Sequence, residues 1–453
     1  MTIHTVSSEI NEEHVLDTAR KTRSGKHVAY KDEIPAVVQV KAPKANDKGR
    51  KTREVSDKKI QQTYGNVQSG KEEKSSSSQA LAERKIVKLT PPKIDNKTIG
   101  DMLYCTRPMR DGKFQIGCET IDGKTVTHCY GHGGSGPTTL FGSVQQAIEC
   151  FEKTNPSKEK PIRVIGAGVM GLTSAIELAR RGYKVSISAK DRYEDMPSWK
   201  AAGYFALVSV QTSKEEQDNL NQIGMNTFLT YQQIEKGEHP YLKKETVRYL
   251  PVYCSEDTES GVEDLEKRGL IPPREYVTLD FQNGAIHPNF VKFMSYFINT
   301  TSLMKQLAAE VERREIIVSI EEIERFKEVE EDVIFNCTGL GARELNHDDK
   351  MIAVRGHLVA LSEEAGSDHM DYMIYTKVKQ NKEDRYVYMF PKDVSVTPEN
   401  TEGMPCRAVL GGTFIPHTDK LSPEELETLD KKEMQLMLDR NSLFFTGKPY
   451  QPA

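Results

Sequence analysis

Two rhythms of apolar and polar positions run along the chain. Ile162-Arg163-Val164-Ile165 is a short apolar run of the kind that becomes a buried strand, and over 172–181 apolar residues and alanines recur at helical spacing. Gly182 closes that stretch as a helix-terminal glycine does, and 183–188 returns to a strand pattern. The spacing therefore predicts a βαβ unit over 161–191. Asp332-Val333-Ile334-Phe335-Asn336 reads as another strand, running into a glycine turn, and Thr127-His128-Cys129-Tyr130 as one that ends at a glycine loop followed by a helix over 143–153. In Arg385-Tyr386-Val387-Tyr388-Met389-Phe390-Pro391 the two-residue period puts Tyr386 and Tyr388 on one strand face. Ser422-Pro423-Glu424-Glu425 is a helix start signal, so a helix is expected over 422–441, with a C-terminal tail over 441–453.

The first hundred residues follow neither rhythm. They hold 20 Lys and Arg against 13 Asp and Glu, whereas the remainder carries 42 basic and 54 acidic residues. Their aromatics are Tyr30 and Tyr64, and they include four consecutive serines, Ser75 to Ser78, and a lysine-rich stretch over 41–59. A segment so poor in apolar surface cannot offset the entropy of ordering its backbone. Residues 1–95 are therefore expected to be a disordered, basic, Ser-rich tail, solvated rather than committed to nucleic acid or membrane. The whole chain, 453 residues with 37% hydrophobic and 28% charged, is long enough for one large or two ordinary domains. Its seven cysteines, Cys105, Cys118, Cys129, Cys150, Cys254, Cys337 and Cys406, show neither CxxC spacing nor a Cys/His cluster, so no metal is expected. Their odd, unpatterned count suits reduced thiols in a cytoplasmic compartment. The first thirty residues have no apolar run, so no signal peptide is expected, and no stretch approaches the roughly 18 apolar residues of a membrane span.

Between the first strand and its helix lies Gly166-Ala167-Gly168-Val169-Met170-Gly171. In such a fingerprint the first glycine permits a tight turn, the second lets a pyrophosphate approach the backbone, and the third lets helix and strand pack closely. The helix start offers free N–H groups and a positive dipole end to the phosphates. Asp191 falls 20 positions after Gly171, where a carboxylate can accept hydrogen bonds from ribose hydroxyls. Lys190 precedes it, and a slip of one residue would turn the lysine inward instead. The motif indicates a dinucleotide and does not separate FAD from NAD.

Seven blocks resemble the D-amino-acid oxidase family: the fingerprint, Arg107-Pro108-Met109-Arg110 with Tyr130-Gly131-His132-Gly133-Gly134-Ser135-Gly136, Ala201-Ala202-Gly203, the strand ending at Ile320, Asn336-Cys337-Thr338-Gly339, Arg355-Gly356-His357, and Leu410-Gly411-Gly412-Thr413-Phe414. The resemblance implies an α/β protein, with a Rossmann-like FAD-binding domain on a parallel sheet and a mainly antiparallel β substrate domain. In that family the fingerprint opens the chain, and the Arg-Pro and Gly-His-Gly-Gly segments close it. Here the order is reversed, so the chain resembles a circularly permuted member, rejoined through Thr154-Asn155-Pro156-Ser157-Lys158-Glu159-Lys160. Such a connector reaches at most about 25 Å, so the family's ends must lie near one another. The implied parts are a discontinuous FAD-binding domain over 101–212 and 313–345 and a substrate domain over 213–312 and 346–440.

By the same resemblance FAD is the cofactor. Gly166, Ala167, Gly168, Val169, Met170, Gly171 and Asp191 would hold its pyrophosphate and ribose, and Ile320, Cys337, Thr338 and Gly339 would pass near its adenine and pyrophosphate. Ala201, Ala202 and Gly203 would run beneath the flavin, and the loop Gly131, His132, Gly133, Gly134, Ser135 and Gly136 would lie against its pyrimidine side, where successive amides attract negative charge. The implied reaction is oxidation of a small amino acid or amine, with hydride passing from Cα to flavin N5, an imino acid as product, and molecular oxygen reduced to hydrogen peroxide. Arg107 takes the place of the carboxylate-binding arginine, whose planar fork suits a carboxylate, and Arg110 that of the next arginine. Tyr388 takes the place of an active-site tyrosine, with Tyr386 beside it. The substrate side departs from the family. Asp384 stands for a second tyrosine, Tyr204-Phe205-Ala206 for Leu-Trp-Gln and Ser135 for a tyrosine; apart from these, in Arg355-Gly356-His357 a His replaces the family's Gln. A glycine- or sarcosine-type oxidase, a flavin dehydrogenase with poor oxygen reactivity and a catalytically inactive flavin-binding interaction protein stay open. A nicotinamide enzyme fits the fingerprint but not the glycine loop.

Overall fold

The computed structural model describes residues 84–192, 196–201, 203–208, 213–362, 370–391 and 408–451. Of the expected features, Ala202, Cys406 and the tail up to residue 83 lie outside the described residues.

Strands Ile162–Ile165 and Val185–Ala189 pair in parallel and are joined by the helix Val169–Arg180, as the spacing predicts. They sit inside a six-stranded sheet ordered Ile317–Ile320, Val185–Ala189, Ile162–Ile165, Val333–Asn336, Lys124–Tyr130, Gln115–Ile121. The first five strands are parallel, and Gln115–Ile121 closes the edge as a hairpin partner of Lys124–Tyr130. The hairpin turns at Asp122 and Gly123, both at positive φ, as its two-residue turn requires. Central strands of a parallel sheet are covered on both faces and so read as unbroken apolar runs. Accordingly Val164, Ile334 and Phe335 are fully buried. Phe335 meets Phe151 of the helix Gly136–Glu152 on one face, while Ile334 packs with Phe326, Val329 and Leu345.

The second sheet is mainly antiparallel. Its order is Lys85–Lys88, Glu275–Asp280, Ile286–Ile298, Val247–Ser255, Met373–Gln380, Glu383–Pro391, Ala408–Gly411, Met351–Leu361, Ile415–Pro416; Ile99–Arg110 also pairs with Met351–Leu361, and Gly203–Tyr204 with Ile286–Ile298. The helix Pro423–Thr446 lies on this sheet, where Met434, Met437, Leu438, Phe444 and Phe445 share an apolar cluster with Val359, Leu361, Val387, Met389 and Leu410. Among the described residues no helix is long and apolar enough to cross a membrane.

Three boundaries differ from the sequence reading. The expected tail 1–95 ends earlier, because Lys85–Lys88 pairs with 277–280 and Leu89 is buried in the second cluster. The strand Ile99–Arg110, placed with the nucleotide unit by position, is hydrogen-bonded along Met351–Leu361 in the larger sheet. The last helix runs past 441 to Thr446, because Phe444 and Phe445 extend its buried face, and it stops at Gly447 with φ 72°. Its start is as read, with Ser422 and Glu425 forming a capping box.

The helices Gly136–Glu152 and Gln217–Lys236 cross at Gly142, whose N–H donates to Thr227 Oγ1 at 3.0 Å. A Cβ on Gly142 would overlap the Ile223 backbone, 2.7 Å from its Cα. Gly142→Ala is expected to cost on the order of 1–3 kcal/mol in denaturant unfolding, as overpacked cores do. Gly117→Ala meets no neighbour nearer than 3.7 Å and should shift stability by less than about 0.5 kcal/mol. Equal midpoints for the two variants would refute the close crossing.

Candidate functional site

The glycines after Ile162–Ile165 do different things. Gly166 has φ 108°, and a Cβ there would overlap the Cys337 carbonyl oxygen; one on Gly171 would overlap the Gly166 carbonyl. The turn is thus backbone on backbone, tied further by Cys337 N–H to Ile165 O at 2.9 Å. Gly168 is open: a Cβ would meet only Ser198 Oγ, at 3.8 Å. The helix beginning at Val169 has a glycine at its N-cap and so no capping side chain there; Val169 N–H reaches Ser198 Oγ at 3.4 Å, and the helix dipole points into that open space. These residues fit a diphosphate.

Asn336 orders the next turn. Its Oδ1 accepts from Thr338 N–H at 3.3 Å and Thr338 Oγ1 at 2.8 Å. Its Nδ2 donates to His128 Nδ1 at 3.2 Å, which leaves His128 Nε2–H to donate to Glu119 Oε1 at 2.8 Å. Burial lowers the His128 pKa despite Glu119, consistent with that neutral tautomer.

The glycine loop rests on the strand that carries Arg107. Arg110 N–H donates to Gly131 O at 3.0 Å, and Met109 bridges His132. Added Cβ atoms would lie 2.6 Å from Arg110 Cβ at Gly131, 3.3 Å from Met109 Cβ at Gly133 and 3.3 Å from Arg107 Cδ at Gly134. A Cβ added at Gly339 would lie 3.3 Å from Pro108 Cβ, and one at Gly136 4.0 Å from Val169 Cγ1. Residues 107–110, 131–136, 166–171 and 337–339, far apart in sequence, therefore meet in one place. Not every loop side chain faces outward. His132 stacks on Phe114 and meets Ser143 Oγ at 3.1 Å, and Ser135 Oγ donates to Val208 O at 2.8 Å.

The Arg107 guanidinium lies flat on Gly356, where a Cβ would sit 2.7 Å from its Cζ and both Nη atoms, and its Nη1 donates to Thr413 O at 3.1 Å. Tyr388 lies across Gly411 in the same way. Burial raises the Tyr388 pKa, while Arg107 beside its hydroxyl opposes that rise. From Tyr388 a row of rings continues through Phe390, Tyr204, Tyr375 and Tyr386, with neighbouring centroids 4.9 to 5.3 Å apart. The two tyrosines read as a pair thus divide: Tyr388 touches Arg107, and Tyr386 stacks on Tyr375. The buried Tyr204 hydroxyl has no hydrogen-bond partner among the described residues.

Arg110 has a different task from Arg107. Its Nε binds Asp348 Oδ2 at 2.7 Å, and the same oxygen accepts from Tyr130 Oη at 2.8 Å. It locks the loop to the turn that precedes the strand Met351–Leu361. Ala201 O accepts from Thr300 Oγ1, and Gly203 pairs with Ile298. Ile320 ends its strand 58% exposed. The strand Val185–Ala189 stops one residue before Lys190, whose Nζ binds Glu322 at 2.8 Å; Asp191 follows it, exposed. Among the described residues no His, Cys, Asp and Glu cluster suits a metal. Sequence reading missed the roles of Gly356, Gly411, Thr413, Asn336 and His128. Glycines inside otherwise apolar strands were the available signal, since they mark close approach.

The profile of the family described as FAD dependent oxidoreductase matches residues 162–446. A D-amino-acid oxidase of Dictyostelium discoideum is 26% identical over 284 residues, covering 58% of this chain and 69% of that protein. Among solved structures, a glycine oxidase from Bacillus cereus is 16% identical with a TM-score of 0.38, covering 60% of this chain and 77% of the other. An iminodiacetate oxidase from a Chelativorans species is 11% identical with a TM-score of 0.42, covering 62% and 79%.

Burial pulls the His132 imidazole down to about 3. The unfolded chain therefore takes up a proton before the folded one does. Stability is complete above the ordinary histidine value near 6.5 and falls as pH drops from there toward 3, by up to ~1.4 kcal/mol per pH unit. His132→Gln should lose less stability than the parent between about pH 7 and pH 5 in thermal melts. Equal losses would show that His132 titrates normally.

Proposed function

We propose that this chain, which belongs to the family of FAD-dependent oxidoreductases, oxidises an amino acid or related amine at the carbon that bears nitrogen, with Arg107 as the anchor for the substrate carboxylate. The observation that carries this reading is the Arg107 guanidinium laid on Gly356, beside Tyr388 and against the glycine loop. FAD bound there would supply an acceptor for the Cα hydride and a route for that electron pair to oxygen, which with the proton lost from the amine would give an imino acid and hydrogen peroxide.

The chain's own residues bind and orient. The helix starts at Val169 and Gly136 would face the diphosphate and the pyrimidine edge, where dipole and amides favour negative charge. Thr413 O occupies Arg107 Nη1, and the remaining N–H groups would take a carboxylate. Tyr388 would donate to the same carboxylate or to the amine. The ring row Tyr204, Tyr375 and Phe390 would form a water-poor wall beside the reacting carbon. Orientation does most of the work in such chemistry, because the acceptor is supplied by the cofactor.

Three observations support reading the chain as a circular permutation. Residues 107–136 precede the fingerprint yet pack against it. The strand Lys124–Tyr130 lies parallel to Val333–Asn336 in the same sheet as the fingerprint strand. The family profile begins only at residue 162. The six-stranded sheet would then be the FAD part and the larger sheet the substrate part. The described cysteines are unpaired, which supports a reducing, cytoplasmic setting.

Purified protein should show the visible spectrum of a noncovalent flavin. Gly168→Trp should abolish it by filling the open space before the helix; retained flavin would show that the loop is misassigned. Anaerobic mixing with a panel of D- and L-amino acids should bleach the parent. Arg107→Leu should keep the flavin and be reduced at least about tenfold to a hundredfold more slowly, as loss of a charge-assisted contact of roughly 1.5–3 kcal/mol implies. A parent that no amine reduces would instead be a flavin-retaining interaction protein, with Arg107 structural.

A further inference from the structure

Arg107 lies on a floor that gives it no lateral hold. Gly356 supports the guanidinium from below but presents no side chain to stop it sliding. The hydrogen bond from Nη1 to Thr413 O fixes its place. Thr413 is itself held from the other side of the sheet. His357 follows Gly356 and so points to the opposite face, where it is fully buried. Its backbone N–H donates to Thr413 Oγ1 at 2.7 Å, and its Nδ1 lies 2.9 Å from the same oxygen. Its Nε2 lies 2.8 Å from Asp430 Oδ1, on the helix Pro423–Thr446. Arg355 binds that carboxylate through Nε at 3.1 Å and Nη2 at 2.6 Å.

The proton positions follow from the partners. A carboxylate can only accept, so Nε2 carries the hydrogen. Arg355 already balances the Asp430 charge, and burial lowers the His357 pKa, so the ring is neutral. Its Nδ1 must therefore accept the Thr413 hydroxyl proton. A directional chain results: Asp430 orients His357, His357 orients the Thr413 hydroxyl, and the Thr413 carbonyl on the other face orients Arg107.

We infer that His357 and Asp430 are positioning residues that set the Arg107 guanidinium from behind the sheet, and so govern affinity for the substrate carboxylate. This rests on Arg107 being the carboxylate anchor. A core filler would not need three buried polar groups, which cost stability unless they are mutually satisfied. An amide side chain can replace the imidazole here. In Gln the oxygen and nitrogen are separated by one carbon, as Nδ1 and Nε2 are, with the acceptor facing Thr413 and the donor facing Asp430.

The test uses flavin-loaded protein. Benzoate, a simple carboxylate, is titrated against the oxidised flavin spectrum of the parent, His357→Leu, His357→Gln, Asp430→Asn, Thr413→Val and Arg107→Leu. FAD content and unfolding midpoint are measured for each, together with KM and kcat for the best amino acid and for an amine lacking a carboxylate. His357→Leu is expected to weaken benzoate and raise KM for the amino acid by roughly tenfold to a hundredfold, the effect of a misplaced anchor. It should leave the carboxylate-free amine unchanged, and His357→Gln should restore the parent values. Thr413→Val, which keeps shape and loses the hydroxyl, should behave like His357→Leu even if the latter fails to fold. The inference is overturned if His357→Leu or Thr413→Val lowers the unfolding midpoint yet binds benzoate within about twofold of the parent while Arg107→Leu does not bind it. If Arg107→Leu itself binds benzoate like the parent, the anchor is misassigned and the reading beneath this inference falls with it.

Discussion

The close approach of two backbone turns organises this molecule. Gly171 and Gly166 leave no room for a side chain between the first helix turn and the strand end, and Gly166 leaves none before the Cys337 carbonyl. These touching turns set where the helix Val169–Arg180 begins, directly after the strand Ile162–Ile165. The same compression brings the Thr338–Gly339 turn onto Pro108, and Pro108 brings Arg107 with it. A bulky residue at either glycine would therefore disturb the fingerprint turn and the setting of Arg107 together.

The larger sheet repeats the device for another purpose. Gly356 and Gly411 are strand residues whose missing side chains become the places where Arg107 and Tyr388 lie flat. Interior strand glycines weaken pairing and packing. Here the loss is offset by a floor smooth enough for two polar side chains to lie in an otherwise apolar surface. The opposite face of the sheet carries Val359, Val387 and Met389 against the last helix. One face thus supplies cohesion while the other carries Arg107 and Tyr388.

Much of this was legible in the sequence because the informative residues are those that backbone geometry demands. Gly166, Gly168 and Gly171 fix a turn whatever surrounds them, and Gly131 to Gly136 fix another. The strand and helix around the fingerprint followed from periodicity alone. What the sequence did not reveal depends on pairing between distant segments. Nothing in Ile99–Arg110 says that its partner is Met351–Leu361, so Arg107 could be named without its floor. Tyr386 and Tyr388 share a strand face, but their division between Tyr375 and Arg107 is decided by neighbouring strands. Lys190 and Asp191 illustrate a finer limit. Strand ends read from propensity are uncertain by a residue or more, and one residue decides which side chain stands first beyond Ala189. The Phe444-Phe445 pair extended the last helix because burial, not capping, kept it going.

The tie between Arg107 and Thr413 spans 306 residues of sequence, and its further support comes from Asp430. On the ribosome Arg107 emerges 306 residues before Thr413, so its surroundings do not exist until that later segment has been made. Contacts of such long separation are slow to form, and domains of this size pass through partly assembled states. A product truncated before the final helix would hold the fingerprint, the glycine loop and Arg107, but not the segment behind the sheet. The surroundings of Arg107 are thus complete only once the segment that supplies Thr413 and Asp430 has been made.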